Sequence, residues 1–170
     1  MASKHYTSFS LVFLAAATIL LAGHAHGTKD LCQGFEHESV CRTLVQGLSD
    51  PHEALKPAIH QLIIEGRRAL RLANNQKKNT FLDGCKENFS FAIEDLQACL
   101  RVLKNDHLNV LQKGDLLNSL SAVVSFYETC NDTYLEAATM NPSIKNPFGK
   151  IQTALNPMIS TVLALATQLP

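Results

Sequence analysis

Residues 80–103 read TFLDGCKENFSFAIEDLQACLRVL. Stepping from Leu82 by three and four gives Leu82, Cys85, Phe89, Ala92, Leu96, Cys99 and Leu103, an unbroken apolar seam with charged residues between its members. An alternating three-four step repeats every 3.5 residues, the period of a helix packed lengthwise against other helices. Thr80 stands where a cap belongs, with Asp83 three residues on as an imperfect capping box. Lys104-Asn105-Asp106 breaks the pattern.

Downstream, Gln112-Lys113-Gly114-Asp115 reads as a second break, followed by the seam Leu116, Leu120, Val123, Tyr127, Cys130 and Tyr134. Asn141-Pro142 and Asn146-Pro147 end it, because the residue before a proline resists the helical region. The last pattern is Ile151, Leu155, Met158, Val162, Leu165 and Leu169, which Pro157 should kink or divide. Upstream, Ser49-Asp50-Pro51 is a start signal: a capping residue, then proline at the first helical position. Pro57 is expected to interrupt soon after, so the firm pattern there is Ile59, Leu62, Gly66, Leu70 and Ala73, ended by the polar run 74–79. Four amphipathic segments predict an all-α fold, an antiparallel four-helix bundle over residues 49–170. Residues 28–48 are too few for a fifth long helix and read as a short N-terminal helical hairpin.

The chain opens with Lys4, an apolar run from Leu11 to Ala22, then the small residues Gly23, Ala25 and Gly27. That order is a signal peptide over residues 1–27, cleaved after Ala25 or Gly27. The mature domain is then 28–170, secreted and without a membrane anchor. Removing Lys4 leaves a formal charge of −1, which gives a nucleic-acid partner no electrostatic support. The four histidines of the mature part, His37, His52, His60 and His107, make no i, i+4 pair, and no Cys-x-x-Cys occurs. No metal, no cofactor and no enzymatic activity are therefore expected.

Five cysteines in a secreted chain imply disulfides, but their number does not choose the pairing. Cys85 and Cys99 are fourteen residues apart on one helical pattern, roughly 21 Å, too far for a bridge. Cys85 and Cys130 are equidistant from a point near His107, inside the break, so they lie at one height in an antiparallel hairpin. Cys99 with Cys130 centres near Gly114 and stays open as an alternative. Arg67, Arg68 and Arg71 with Lys77 and Lys78 form a basic stretch, read first as a solvated helix face. Sequons at Asn88 and Asn131 both fall in helical patterns. A secreted carrier of a small apolar ligand is a further reading, though a regular seam of Leu, Ala, Val and Cys fills a core.

Several motifs together resemble the plant invertase and pectin methylesterase inhibitor family. They are the spacing of Cys32 and Cys41, Ser49-Asp50-Pro51, Cys85-Lys86-Glu87-Asn88-Phe89 with Ala92-Ile93 and Leu96, and Ser121-Ala122-Val123 with Thr129-Cys130. The resemblance covers essentially the whole mature chain. It implies bridges Cys32–Cys41 and Cys85–Cys130 with Cys99 a free thiol. It also implies a protein found in the apoplast or cell wall, a monomer when free, that blocks the substrate cleft of an enzyme by stoichiometric non-covalent binding. Invertase inhibitors of the family often carry a Pro-Lys-Phe element after the second bundle helix. Here that region reads Asn105-Asp106-His107-Leu108-Asn109. Pectin methylesterase is therefore the expected target, with acid invertase the alternative. Thr129 matches a threonine of the enzyme-contacting face, and its exposed neighbours Ser125 and Asp132 join it as contact candidates. The stretch from Cys41 to Cys85 is shorter than the family pattern. The functional reading of the basic stretch is attraction to anionic pectin or to an acidic enzyme rim.

Overall fold

The computed structural model describes residues 30–76 and 80–170. The chain divides into two compact units, Met1–Asp30 and Leu31–Pro170. Of the first, only Asp30 is described, so the signal peptide and its cleavage site lie outside the described residues, as do Lys77, Lys78 and the capping expected of Thr80.

Every described helix belongs to the second unit: α1 (Glu38–Val45), α2 (Pro51–Asn74), α3 (Thr80–Val102), α4 (Val110–Met140) and α5 (Gly149–Thr167). The long helices pack α2 on α3, α3 on α4, α4 on α5 and α5 back on α2, a closed antiparallel square in which α2 and α4 are diagonal. The hairpin region holds one helix among the described residues. A straight helix would set Cys32 and Cys41 roughly 13 Å apart, whereas their bridge holds the alpha carbons at 5.6 Å. The chain must therefore reverse between them, and it does so in turns that include Gly34 at φ 82°. α1 then packs on α2 and α5.

Asp50 caps α2, its Oδ1 accepting from the Glu53 amide at 2.9 Å, with Pro51 at the first position. Pro57 does not interrupt this helix. A mid-helix proline costs about 3 kcal/mol. Ala54, Leu55, Ala58 and Ile59 around it have no exposed surface, and each buried Leu or Ile contributes about 1.5–3 kcal/mol. Packing outweighs the lost backbone bond. Pro157 likewise lies inside an undivided α5. The expected break at Gln112–Asp115 is not a break either. Asn109 and Gln112 form a capping box, each side chain accepting from the other's amide at 2.9 and 3.0 Å. The helix therefore starts at Val110, and Gly114 sits within it in open space. The signal is present in the sequence, since Asn109 followed three residues on by Gln112 is the pattern of a capping box, but the polar run 112–115 with its glycine masks it.

The interior follows the seams. Leu82, Phe89 and Leu96 of α3, Leu103 just after it, and Leu116, Leu120, Val123 and Tyr127 of α4 are all buried. Phe148, just before α5, stacks edge-on against Phe89 and Tyr134 at 5.0 and 5.8 Å. Asn146 does more than end a helix. Its Nδ2 donates to Gln152 Oε1 at 2.8 Å and to Asn131 Oδ1 at 3.2 Å, while its Oδ1 accepts from the Phe148 amide. Buried Gln152 in turn donates to the Tyr127 carbonyl. This polar lock fixes where α5 enters the bundle.

Candidate functional site

Cys85 on α3 and Cys130 on α4 are joined, with alpha carbons 4.9 Å apart. Cys99 is a buried free thiol whose Sγ lies 4.0 Å from the Leu116 carbonyl. Burial, and secondarily the Asp95 carboxylate, push its pKa up to about 12. The Cys85–Cys130 bridge pins the middle of α4, and Thr129 is the residue directly before the pinned cysteine.

The outer face of α4 carries hydroxyls every fourth residue. Ser121, Ser125, Thr129 and Thr133 each donate to the carbonyl four residues back, at 2.8, 3.4, 2.8 and 2.8 Å. Such bonds hold each side chain in one rotamer while the oxygen keeps lone pairs that can still accept. Ser125, Thr129 and Asp132 are all exposed, so the structure brings the three contact candidates onto one surface. Phe126, three residues before Thr129, packs on Phe91 of α3 with ring centroids 5.6 Å apart. Phe91 is 41% exposed, which places an aromatic anchor beside the hydroxyls. Neither the four-residue repeat nor the aromatic pair was part of the sequence reading. The repeat was visible there, as hydroxyl residues at 121, 125, 129 and 133; the pairing of Phe91 with Phe126 needs the register between two helices.

The same face is acidic. Along α4 the charged residues are Lys113, Asp115, Glu128, Asp132 and Glu136. Asn88 and Asn131 are half-buried within helices, and Asn131 is engaged by Asn146. Among the described residues, Asp50, His52 and Glu53 bring potential metal-ligand atoms within 4.8 Å of one another. Those atoms already have partners. Asp50 caps the helix, Lys56 donates to Glu53 Oε1 at 2.8 Å, and His52 lies between that oxygen at 3.3 Å and the Asn105 carbonyl at 2.9 Å. The Lys56 bond, then that from His52, hold the Glu53 carboxyl below the usual range. The cluster ties the start of α2 to the α3–α4 loop. No described helix is long and apolar enough to cross a membrane.

A family model described as plant invertase/pectin methylesterase inhibitor matches residues 28–165. No curated protein matches the chain in sequence. Among solved structures, a mutant form A of a pectin methylesterase inhibitor from Arabidopsis is similar, with a TM-score of 0.65 at 13% identity. The match covers 84% of this chain and 97% of that one. At that identity the likeness carries the fold alone.

Proposed function

The chain belongs to the plant invertase/pectin methylesterase inhibitor family, and from that premise we propose that it is a secreted inhibitor of pectin methylesterase that covers the enzyme's substrate cleft with the outer face of α4. The family is one of inhibitors rather than enzymes, and the activity asks for binding alone. On this reading residues 1–27 are the signal peptide and 28–170 the inhibitor that reaches the cell wall. The observation that carries the proposal is the preorganised hydroxyl ridge of α4. Ser125 and Thr129 are bonded to the backbone before any partner arrives, on a turn anchored by the Cys85–Cys130 bridge. A surface already ordered loses little entropy on docking. Phe91 and Phe126 supply the apolar part that such contacts need. The absent Pro-Lys-Phe element favours pectin methylesterase over acid invertase.

The test is a titration of the purified mature protein against a pectin methylesterase and an acid invertase. The expected result is stoichiometric loss of methylesterase activity. Ser125→Arg should weaken it at least about tenfold, a loss typical of a central contact, while helical signal and melting stay unchanged. A folded protein that leaves the methylesterase untouched at micromolar excess, across mildly acidic pH, overturns the proposal. Inhibition of invertase alone transfers the reading to that enzyme.

A further inference from the structure

Several cations of α2 and of the end of α3 gather along one line, while the acids of α3, Asp83, Glu87, Glu94 and Asp95, stand outside the groove beside it. Lys56, His60, Arg67 and Arg71 follow one another on α2 at steps of four, seven and four, so they share one ridge about 22 Å long. Beside it, between α2 and α3, runs an open groove of about 580 Å³ lined by Lys56, His60, Arg101 and Lys104 together with Gln97 and leucines. No carboxylate lines this groove. Lys56 is engaged by Glu53 at 2.8 Å. Arg67, Arg71, Arg101 and Lys104 are in no ion pair among the described residues, and His60, Arg67, Arg71, Arg101 and Lys104 are exposed. The acids of α4 lie on the helix diagonal to α2.

From this arrangement we infer that the α2–α3 groove and the ridge beyond it bind an anionic polysaccharide, a polymer of uronate carboxylates. The cations are spaced along a line and open to solvent. That suits a repeating anion laid lengthwise, not a small anion in a closed pocket. Arginine and lysine donors meet carboxylates by charge-assisted hydrogen bonds, and the released counterions drive association. The choice of a uronate polymer rests on the extracellular reading proposed above; the basic site itself does not. The hydroxyl ridge lies on α4, and Phe91, which joins it from α3, is not among the residues that line the groove, so polymer and enzyme can be held at once.

The test is co-sedimentation or affinity electrophoresis of the mature protein with polygalacturonate, without any enzyme. Binding is expected at low ionic strength. With three cations engaged at about 0.7 counterions each, a fourfold rise in salt weakens it roughly twentyfold. Arg67→Ala/Arg71→Ala and Arg101→Ala/Lys104→Ala should each reduce binding about tenfold with unchanged melting. Thr129→Ala should keep polymer binding even where it weakens inhibition, which separates the two readings. Four results would overturn the inference: no binding by folded protein at low salt, binding that survives both double variants, equal binding to fully methyl-esterified polymer, or tighter binding to double-stranded DNA.

Discussion

Gly66→Ala should destabilise this protein, although the same change on an open helix face stabilises by about 1 kcal/mol. Gly66 is buried on α2, and a Cβ there would lie 2.5 Å from the Tyr127 Oη and 3.2 Å from Ile93 Cγ1. The Tyr127 ring cannot swing aside freely, being buried and packed against Phe89 at 5.7 Å. Overpacking of this kind costs about 1–3 kcal/mol, which cancels or exceeds the helix gain. The hydroxyl in contention is itself a liability. It is buried with no hydrogen-bond partner among the described residues, and burial, with Glu65 beside it, raises the phenol above its usual range. Tyr127→Phe removes an unpaired buried group, so it should be neutral or stabilising by about 1 kcal/mol. In the Tyr127→Phe background the new methyl group enters the space the hydroxyl left. There Gly66→Ala should turn stabilising, apart from a small adjustment of Ile93. The double-mutant cycle should therefore show a coupling of about 1–3 kcal/mol. Urea denaturation of the four proteins, followed by far-ultraviolet circular dichroism with matched m-values, measures it. If Gly66→Ala has the same effect in both backgrounds to within about 0.4 kcal/mol, the close approach does not govern this site.

Replacing both Cys85 and Cys130 by alanine should cost about 4 kcal/mol and losing the Cys32–Cys41 bridge about 3 kcal/mol, by the loop-entropy model; a larger loss at the shorter loop in denaturant titrations would contradict that ordering. Cys99 should resist a thiol reagent at pH 8 until denaturant is added, since its pKa of about 12 leaves almost no thiolate. Rapid labelling of native protein would show an open seam. Glu53 has its carboxyl pKa lowered on folding by Lys56 and His52. Its contribution is thus present above the ordinary carboxylate range and lost as pH falls through the lowered value. The melting difference between wild type and Glu53→Gln should be constant near neutrality and close on acidification. A difference that widens in acid would reverse the sign.

The helices and their buried faces were legible because a 3.5-residue seam is a property of the chain alone. Leu82 to Leu103 and Leu116 to Tyr134 are buried as their period predicts. The bridging of Cys85 to Cys130 was partly legible, since an antiparallel hairpin fixes which positions lie level. What the sequence concealed depends on competition between terms. Pro57 and Gly114 are breakers by local propensity, and only the buried neighbours of the one and the capping box of the other decide against them. Asn146 reads locally as a stop before proline, while its three hydrogen bonds reach residues that a linear reading does not bring together. Ser125, Thr129 and Asp132 could be placed on a common face from spacing. Their setting between an aromatic pair and a run of acids required the packed bundle.

The closing contact of the square joins α2 to α5, the first long helix to the last. A chain grows from its N-terminus, and domains fold as their parts emerge. α2, α3 and α4, with both partners of the central bridge, can therefore be present while the slot for α5 is still empty. That slot lies between α2 and α4, whose buried residues include Leu55, Ile59 and Leu62 on the one and Tyr127 and Tyr134 on the other. Its filler has a single charged residue, Lys150, in nineteen positions. A chain stopped near Asn146 would own every group assigned to docking and to polymer binding. It would also expose a long apolar channel, the kind of surface that draws copies of a protein into aggregates. In this protein α5, made after the other described helices, contributes to neither binding surface and yet decides whether the rest stays in solution.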